Sequence, residues 1–261
     1  MSASHDALRL EVQGLEARSR SSSPHASEVH GEREQCLPLP LPGLKSQGMS
    51  APSHILGVIL AGGASRRMGG GDKGLADLDG RPMLAHVIER FRPQTATLVL
   101  NANGDPARFK SYGLPVIPDL DRKEQGPMAG LVAAMHWAEH SNSAISAVAT
   151  VTSDVPFLPL DLVTRLVAES QGRAAIAVSA ERRHPTIGLW PLTLKAKLQA
   201  ALARDDLSLG VFAQAYEAIA VSFPFSESVG AESTSVLIDP FFNANTPDDL
   251  KEARALLTRR G

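Results

Sequence analysis

The stretch LAGGASRRMGGGDKGL, Leu60–Leu75, sets six glycines, two arginines and a lysine directly behind the apolar run Ile55–Leu60. A short apolar run closed by glycine reads as a buried strand. Glycines after a strand let backbone N–H groups converge on an anion, and Arg66, Arg67 and Lys73 add the charge that a polyphosphate demands. The loop therefore reads as a polyphosphate cradle. Two familiar cradles fail on spacing: a Walker A loop needs Gly-Lys followed by Ser or Thr, whereas Asp72 precedes Lys73 and Gly74 follows it. A G-x-G-x-x-G dinucleotide turn does not fit between Gly62 and Gly69 either.

Outward from this loop the chain alternates. ILGVILA is a strand, and RPMLAHVIERF puts Leu84, Val87, Ile88 and Phe91 on one helical face, with Pro82 suited to its first turn. ATLVLNAN and LPVIPD read as strands, GPMAGLVAAMHWAEH as a helix opened by Gly126 and Pro127, ISAVATVTSDVPFL as a strand running into a polar turn, and LDLVTRLVAES as the next helix. AAIAVSAERR, HPTIGLWP and YEAIAVSFP are three further strands, with the helix LTLKAKLQAALAR between the last two. In FFNANTPDDLKEARALL, Thr246 is the N-cap of a final helix, Pro247 its first residue and Asp249 its capping-box partner. The expected fold is a three-layer, Rossmann-like α/β domain over residues 54–261: a mostly parallel sheet with helices on both faces. Such sheets bind ligands beyond the carboxyl ends of their strands.

Residues 1–53 differ. SRSSSPHASEVHGEREQ is polar and charged, and CLPLPLPGL favours extended polyproline geometry. This segment is expected to be a disordered extension, or an artefact of start-site choice with the true start at Met49. A rival reading is an amphipathic docking helix at ALRLEVQGLEARS.

Composition narrows the function. The 261 residues are 43% hydrophobic and 21% charged with a formal net charge of -2, the profile of an ordinary globular chain. A pI of about 6.4 argues against a basic surface that tracks nucleic acid, so phosphate recognition should be local to a loop. The single cysteine, Cys36, excludes an intramolecular disulfide framework and a multi-cysteine zinc site and suits a reducing cytoplasm. No apolar run reaches membrane-spanning length, and no secretory leader pattern opens the chain.

Taken singly, the polar residues at strand ends are ambiguous. Asp154 fits an N-cap or Asx-turn as well as a metal ligand, and Asp119 behind Pro118 fits a turn. Asn101 and Asn103 could end a strand by Asx bonding or read the edge of a base. His184 before Pro185 is expected to be a satisfied turn histidine. Mg²⁺ takes one or two carboxylates and completes its octahedron with phosphate oxygens and water, so Asp154 is sufficient where a triphosphate is bound.

Together the residues carry a resemblance. LAGGASRRMGGGDKGL resembles the loop of the nucleotidyltransferases of the glycosyltransferase-A-like fold, and its form Leu-Ala-Gly-Gly-x-x-x-Arg-Met-Gly followed by Asp-Lys resembles the molybdenum cofactor guanylyltransferase (MobA) family. NAN (101–103), PD (118–119), GPMAGL with Gly130, TSDVPFLP with Asp154, HPTIGLWP, and FFNANTPDDL with Asn243 and Asn245 resemble further motifs of that family, so the likeness covers everything after the N-terminal segment. One departure is RDDLSLGVFAQAY, where the family often has an acceptor-side arginine and Arg204 is not a clean match.

The resemblance implies transfer of GMP from GTP to the terminal phosphate of molybdenum-bound molybdopterin, releasing pyrophosphate. It assigns Leu60, Ala61, Gly62, Gly63, Arg66, Lys73, Asn101, Asp119 and Asp154 to GTP. Lys73, Arg67 and Asp154 are assigned to catalysis, Asp154 also to Mg²⁺, and Gly130, Asn243 and Asn245 to the acceptor. It further implies a cytoplasmic monomer that passes its product to molybdoenzymes or their chaperones, with no nucleic-acid or membrane partner. The rival activities are a cytidylyltransferase for the same cofactor, a sugar-1-phosphate nucleotidyltransferase, and a non-catalytic nucleotide-binding module. Asp72-Lys73 and Asp119 incline the reading toward guanine, because cytidylyl relatives tend to have Asn-Lys in the loop.

Overall fold

The computed structural model describes residues 53–62, 72–121, 126–141, 144–206, 208–229 and 235–258, all within the unit Pro38–Gly261. Except for Ser53, the expected extension lies outside the described residues, as do Gly63, Arg66 and Arg67 of the loop.

The chain runs through β1 (Ile55–Leu60), β2 (Asp77–Leu78), β3 (Arg81–Pro82), α1 (Met83–Phe91), β4 (Thr97–Asn101) and β5 (Val116–Ile117). It continues through α2 (Pro127–Ser141), β6 (Ala147–Thr152), α3 (Leu162–Ser170), β7 (Ala175–Ser179) and β8 (Arg182–Pro191). The last elements are α4 (Lys195–Leu202), α5 (Leu209–Ala215), β9 (Ile219–Ser222), β10 (Ser226–Val229), β11 (Ser235–Ile238) and α6 (Pro247–Thr258). Seven strands make the main sheet in the order β5-β4-β1-β6-β8-β7-β9. β1 is buried along its whole length, which is why it reads as an unbroken apolar run: a central strand covered on both faces has no solvent side to alternate with.

Alternate residues of the sheet feed two cores. Ile55 and Ile59 pack with Leu84, Val87 and Phe91 of α1 and Leu162, Val163 and Leu166 of α3. Leu56 and Val58 pack with α2, α4 and α5 through residues such as Met128, Leu198 and Phe212. The helices expected within 81–91, 126–140 and 160–170 form over 83–91, 127–141 and 162–170, with Pro82 standing just ahead of the first one instead of in its first turn; Leu84, Val87 and Phe91 are fully buried while Ile88 lies at the margin of its cluster. A third cluster joins distant parts of the chain: Leu78 and Met83 meet Phe157, Ile238, Ala244 and the α6 residues Leu250, Ala253 and Leu256.

The sheet is mostly parallel, as expected, with one reversal: β8 runs antiparallel to both β6 and β7. The reading of AAIAVSAERR as one strand runs past its true end. Ala180 and Glu181 both take left-handed φ, 42° and 68°, and turn the chain straight back into β8. A two-residue turn of this kind normally carries Asn-Gly or Asp-Gly, so Ala-Glu gives no signal. Asp79-Gly80, with φ of 57° and 75°, does carry that signal and joins β2 to β3, a hairpin two residues per strand that the periodicity missed. Helix α5 and the β10–β11 hairpin were not expected either. Arg204 lies in the turn that follows α4, its amide donating to the Ala201 carbonyl at 3.0 Å.

Candidate active site

Register brings the polar strand ends together. Leu60 pairs with Asn101 on one side and Thr152 on the other, and Asn101 pairs with Ile117. The residues that follow these positions, Ala61 and Gly62, Asn103, Asp119, and Asp154, therefore leave the sheet along one edge. The Ala61 amide donates to the Asn101 carbonyl at 2.9 Å, and the Ser153 amide to the Leu60 carbonyl at 3.4 Å.

On the β4–β5 side the side chains organise around Asp119. Asn101 Nδ2 donates to Asp119 Oδ1 at 3.0 Å and to the Ile117 carbonyl at 3.2 Å. Asn103 Nδ2 donates to Asp119 Oδ2 at 2.7 Å, while the Asp119 amide donates to Asn103 Oδ1 at 2.9 Å. Asn101 is 4% exposed and both its N–H donors are engaged, so it stands behind Asp119 and aims it. Each carboxylate oxygen of Asp119 still has an acceptor site free beside the amide it already serves.

Gly130 explains how close this packing is. A Cβ there would lie 2.2 Å from Asn101 Oδ1 and 2.8 Å from Leu60 Cδ2, so only glycine lets α2 approach the ends of β1 and β4. The sequence reading grouped Gly130 with Asn243 and Asn245; its close neighbours are Asn101 and Leu60.

On the β6 side the final segment folds back over the sheet edge. The Asp239 carboxylate accepts from the Phe241 amide at 2.9 Å, and Phe241 is buried against Phe223 and His184, at centroid separations of 5.3 and 4.9 Å. The Ala244 amide then donates to the Asp154 carbonyl at 3.2 Å, which sets Asn243 and Asn245 on either side of that contact. Lys73 Nζ donates to Asn245 Oδ1 at 2.6 Å. Lys73 opens a 3₁₀ turn, Lys73–Leu75, whose Gly74 sits so near the end of β6 that a Cβ would be 2.8 Å from Ser153 Cβ.

Among the described residues, two oxygens in this region are buried with no hydrogen-bond partner, Asp154 Oδ1 and Asn243 Oδ1. A buried, unpartnered carboxylate oxygen is costly in a protein unless something external binds it. Among the described residues no group of three or more His, Cys, Asp or Glu is placed to hold a metal ion.

The likeness to known proteins agrees with this layout. A model of the MobA-like NTP transferase domain matches residues 57–218. The chain belongs to that family. It is 44% identical over 211 residues to a molybdenum cofactor guanylyltransferase of Bradyrhizobium sp. (strain ORS 278), covering 79% of this chain and 95% of the relative. It is 43% identical over 209 residues to one from Nitrobacter hamburgensis, covering 78% and 95%. Among solved structures, molybdopterin-guanine dinucleotide biosynthesis protein A from Archaeoglobus fulgidus superposes with a TM-score of 0.58 at 23% identity, over 78% of this chain and 99% of that one. A CMP:2-keto-3-deoxy-manno-octonic acid synthetase complexed with CTP gives 0.59 at 16% identity, over 79% and 99%. At those identities the structures testify to the fold alone.

Residues outside the expected site set brace these segments of the MobA-like chain. Asp249 receives the amides of Asn245 and Thr246 at 2.7 and 2.8 Å, and its own amide donates to Thr246 Oγ1 at 3.1 Å. The capping box expected for α6 is thus present, and it also fixes the backbone of Asn245. Burial pushes the Asp249 carboxyl up, but the two amides, the Thr246 hydroxyl and the nearby Lys73 outweigh it and hold the group below the ordinary carboxylate range. Arg108 binds Asp72 and Asn103 together; no spacing rule connects an arginine in NANGDPARF to an aspartate beyond a glycine-rich loop. His184 lies inside β8 instead of in a turn, buried, with Nε2 2.9 Å from Ser179 Oγ. Its ring also packs on Phe241. Among the described residues no helix is long and apolar enough to cross a membrane.

Proposed function

We propose that this MobA-like NTP transferase moves GMP from GTP to the terminal phosphate of molybdenum-bound molybdopterin, forming the guanine dinucleotide cofactor and pyrophosphate. The observation that carries the reading is the pairing of Lys73 with Asn245 beside the unpartnered Asp154, in a chain 44% identical to a named molybdenum cofactor guanylyltransferase. An oxygen of the acceptor phosphate attacks the α-phosphorus in line. The new P–O bond forms as the bond from the α-phosphorus to the α,β-bridging oxygen breaks, and pyrophosphate leaves with the electron pair. The attacking phosphate monoester is already ionised near neutral pH, so no side-chain base is needed. What the protein supplies is orientation and compensation of charge.

Lys73, aimed by Asn245, keeps two N–H donors for the departing phosphates. Ala61 and Gly62, with the loop residues Gly63, Arg66 and Arg67, hold the rest of the triphosphate. Asp119 accepts from the adjacent N–H groups of guanine, held for that purpose by Asn101 and Asn103; cytosine presents no such pair of donors beside each other. Asp154 Oδ1 and the acceptor-side Asn243 oxygen suit a hard divalent cation, which we take to be Mg²⁺. When bound, it would screen the negative charge of triphosphate and acceptor. Gly130 serves this site indirectly, by letting Asn101 reach Asp119.

The supporting experiment is mass spectrometry of the cofactor formed from GTP, Mg²⁺ and molybdopterin, with pyrophosphate release followed in parallel. A guanine dinucleotide is expected. A cytosine dinucleotide formed preferentially from CTP would replace the base assignment, and nucleotide binding without pyrophosphate release would make the chain a binding module. On the same reading the enzyme is a cytoplasmic monomer with a separate N-terminal extension, and gel filtration of the full chain tests the monomer.

A further inference from the structure

Arg108 spans the two halves of the site. Its Nε donates to Asp72 Oδ2 at 2.5 Å, its Nη2 donates to the Asn103 carbonyl at 2.6 Å, and its Nη1 donates to the Asp105 carbonyl. The guanidinium carbon lies 4.5 Å from the ring centroid of Phe109, which is itself buried. Asp72 is bonded through the chain to Lys73, and Asn103 holds Asp119 by two hydrogen bonds. One planar cation therefore ties the ammonium on the phosphate side to the carboxylate on the base side.

We propose that Arg108 is a positioning residue that fixes Asp119 relative to Lys73 and so makes base recognition a condition of transfer. The inference rests on the GMP-transfer reading. An exposed Arg–Asp pair contributes little, but these side chains are only 28% and 20% exposed, and three bonds from one rigid fork define an orientation as well as a distance. Lysine cannot reproduce that fork, because its single ammonium has no fixed plane. The Asp72 carboxylate is thereby engaged by Arg108 and not directed at ligand. The role of the Asp72-Lys73 pair in base choice then passes through Arg108 to Asn103 and Asp119.

The test compares Arg108→Gln, Arg108→Lys and Asp72→Asn with the unmodified full chain. Steady-state nucleotidyl transfer is measured from GTP, which donates GMP, and from ITP, which lacks the 2-amino group and donates IMP, and the thermal shift given by each nucleotide with Mg²⁺ is recorded alongside. Loss of a hydrogen bond to a charged group corresponds to about tenfold in binding. Arg108→Gln and Asp72→Asn are therefore expected to raise KM for GTP by about tenfold and to shrink the preference for GTP over ITP, with kcat changing less. Arg108→Lys should resemble Arg108→Gln, and combining Arg108→Gln with Asp72→Asn should be no worse than Arg108→Gln alone, since the Asp72 contact is already lost there. A lower Tm with KM and base preference unchanged would reduce Arg108 to a surface staple and overturn the proposal. If Arg108→Gln fails to fold, the near-isosteric Asp72→Asn decides the same point. If the unmodified chain binds GTP selectively without releasing pyrophosphate, the transfer reading fails while the binding preference still judges Arg108; if no nucleotide shifts its Tm, both fall.

Discussion

Lys73 Nζ and Asn245 Oδ1 meet at 2.6 Å although 172 positions separate them in the chain. The asparagine holds one of the three ammonium hydrogens and leaves the others pointed by its own fixed backbone, which Asp249 secures. The cation is thus aimed before any ligand arrives, the condition under which an electrostatic group contributes most to a transition state.

Removing that cation should be costly. Lys73→Ala is expected to lower kcat for GMP transfer by about 10²–10³, read as pyrophosphate release at saturating GTP and Mg²⁺. Asn245→Ala keeps the charge and loses only its aim, so a fall of about tenfold is expected. Near-normal turnover in Lys73→Ala would remove it from the catalytic set.

Gly130→Ala tests the packing under Asn101. The new methyl would sit 2.2 Å from Asn101 Oδ1, and Asn101 cannot retreat without giving up Ile117 and Asp119. Overpacking of this kind costs about 1–3 kcal/mol, so Tm should fall and KM for GTP should rise together. Gly62→Ala is the control for stability: a Cβ there meets nothing within 4 Å among the described residues, and its Tm should match that of the unmodified chain.

Burial lowers the His184 pKa, with Asp239 opposing and Arg182 adding to the effect. A histidine with a depressed folded-state pKa stays neutral while its unfolded counterpart, with a pKa of about 6.5, takes up a proton. Stability should therefore be complete above that value and decline as pH falls below it. Urea denaturation between about pH 5 and 7 should show this slope, flattened in His184→Gln; an equal slope in both proteins would contradict it.

Thr246→Ala removes the hydroxyl that receives the Asp249 amide and should destabilise the fold by about 1 kcal/mol. Because the Asp249 carboxyl titrates below its ordinary value, its contribution is present above an unfolded pKa of about 3.9 and is lost as pH falls through the lower folded value. Acid denaturation of Asp249→Asn should lack that part of the transition, and hydrogen exchange at the α6 amides reports it locally.

Much of this site could be read from residue order, for a physical reason. β1, β4 and β6 are covered on both faces, so their apolar runs stop where the sheet edge begins, and Asn101, Asp119 and Asp154 announce that edge by polarity. The α6 cap was equally plain, since Thr246, Pro247 and Asp249 act within one turn. Contacts between segments that local pattern cannot pair stayed hidden: Arg108 with Asp72, Lys73 with Asn245, and the indirect part played by Gly130. The Ala180–Glu181 turn was opaque because its residues contradict their own backbone geometry, a conflict that the flanking strands resolve. Gly63, Arg66 and Arg67 remain readings of sequence, outside the described residues.

Leu78 and Met83 find buried neighbours in Ile238, Ala244 and the α6 side chains, and these neighbours are translated long after them. At elongation rates of roughly 5–20 residues per second, the interval is on the order of ten seconds. Throughout it the growing chain shows apolar surface that chaperones can hold, and Lys73 has no asparagine to aim it.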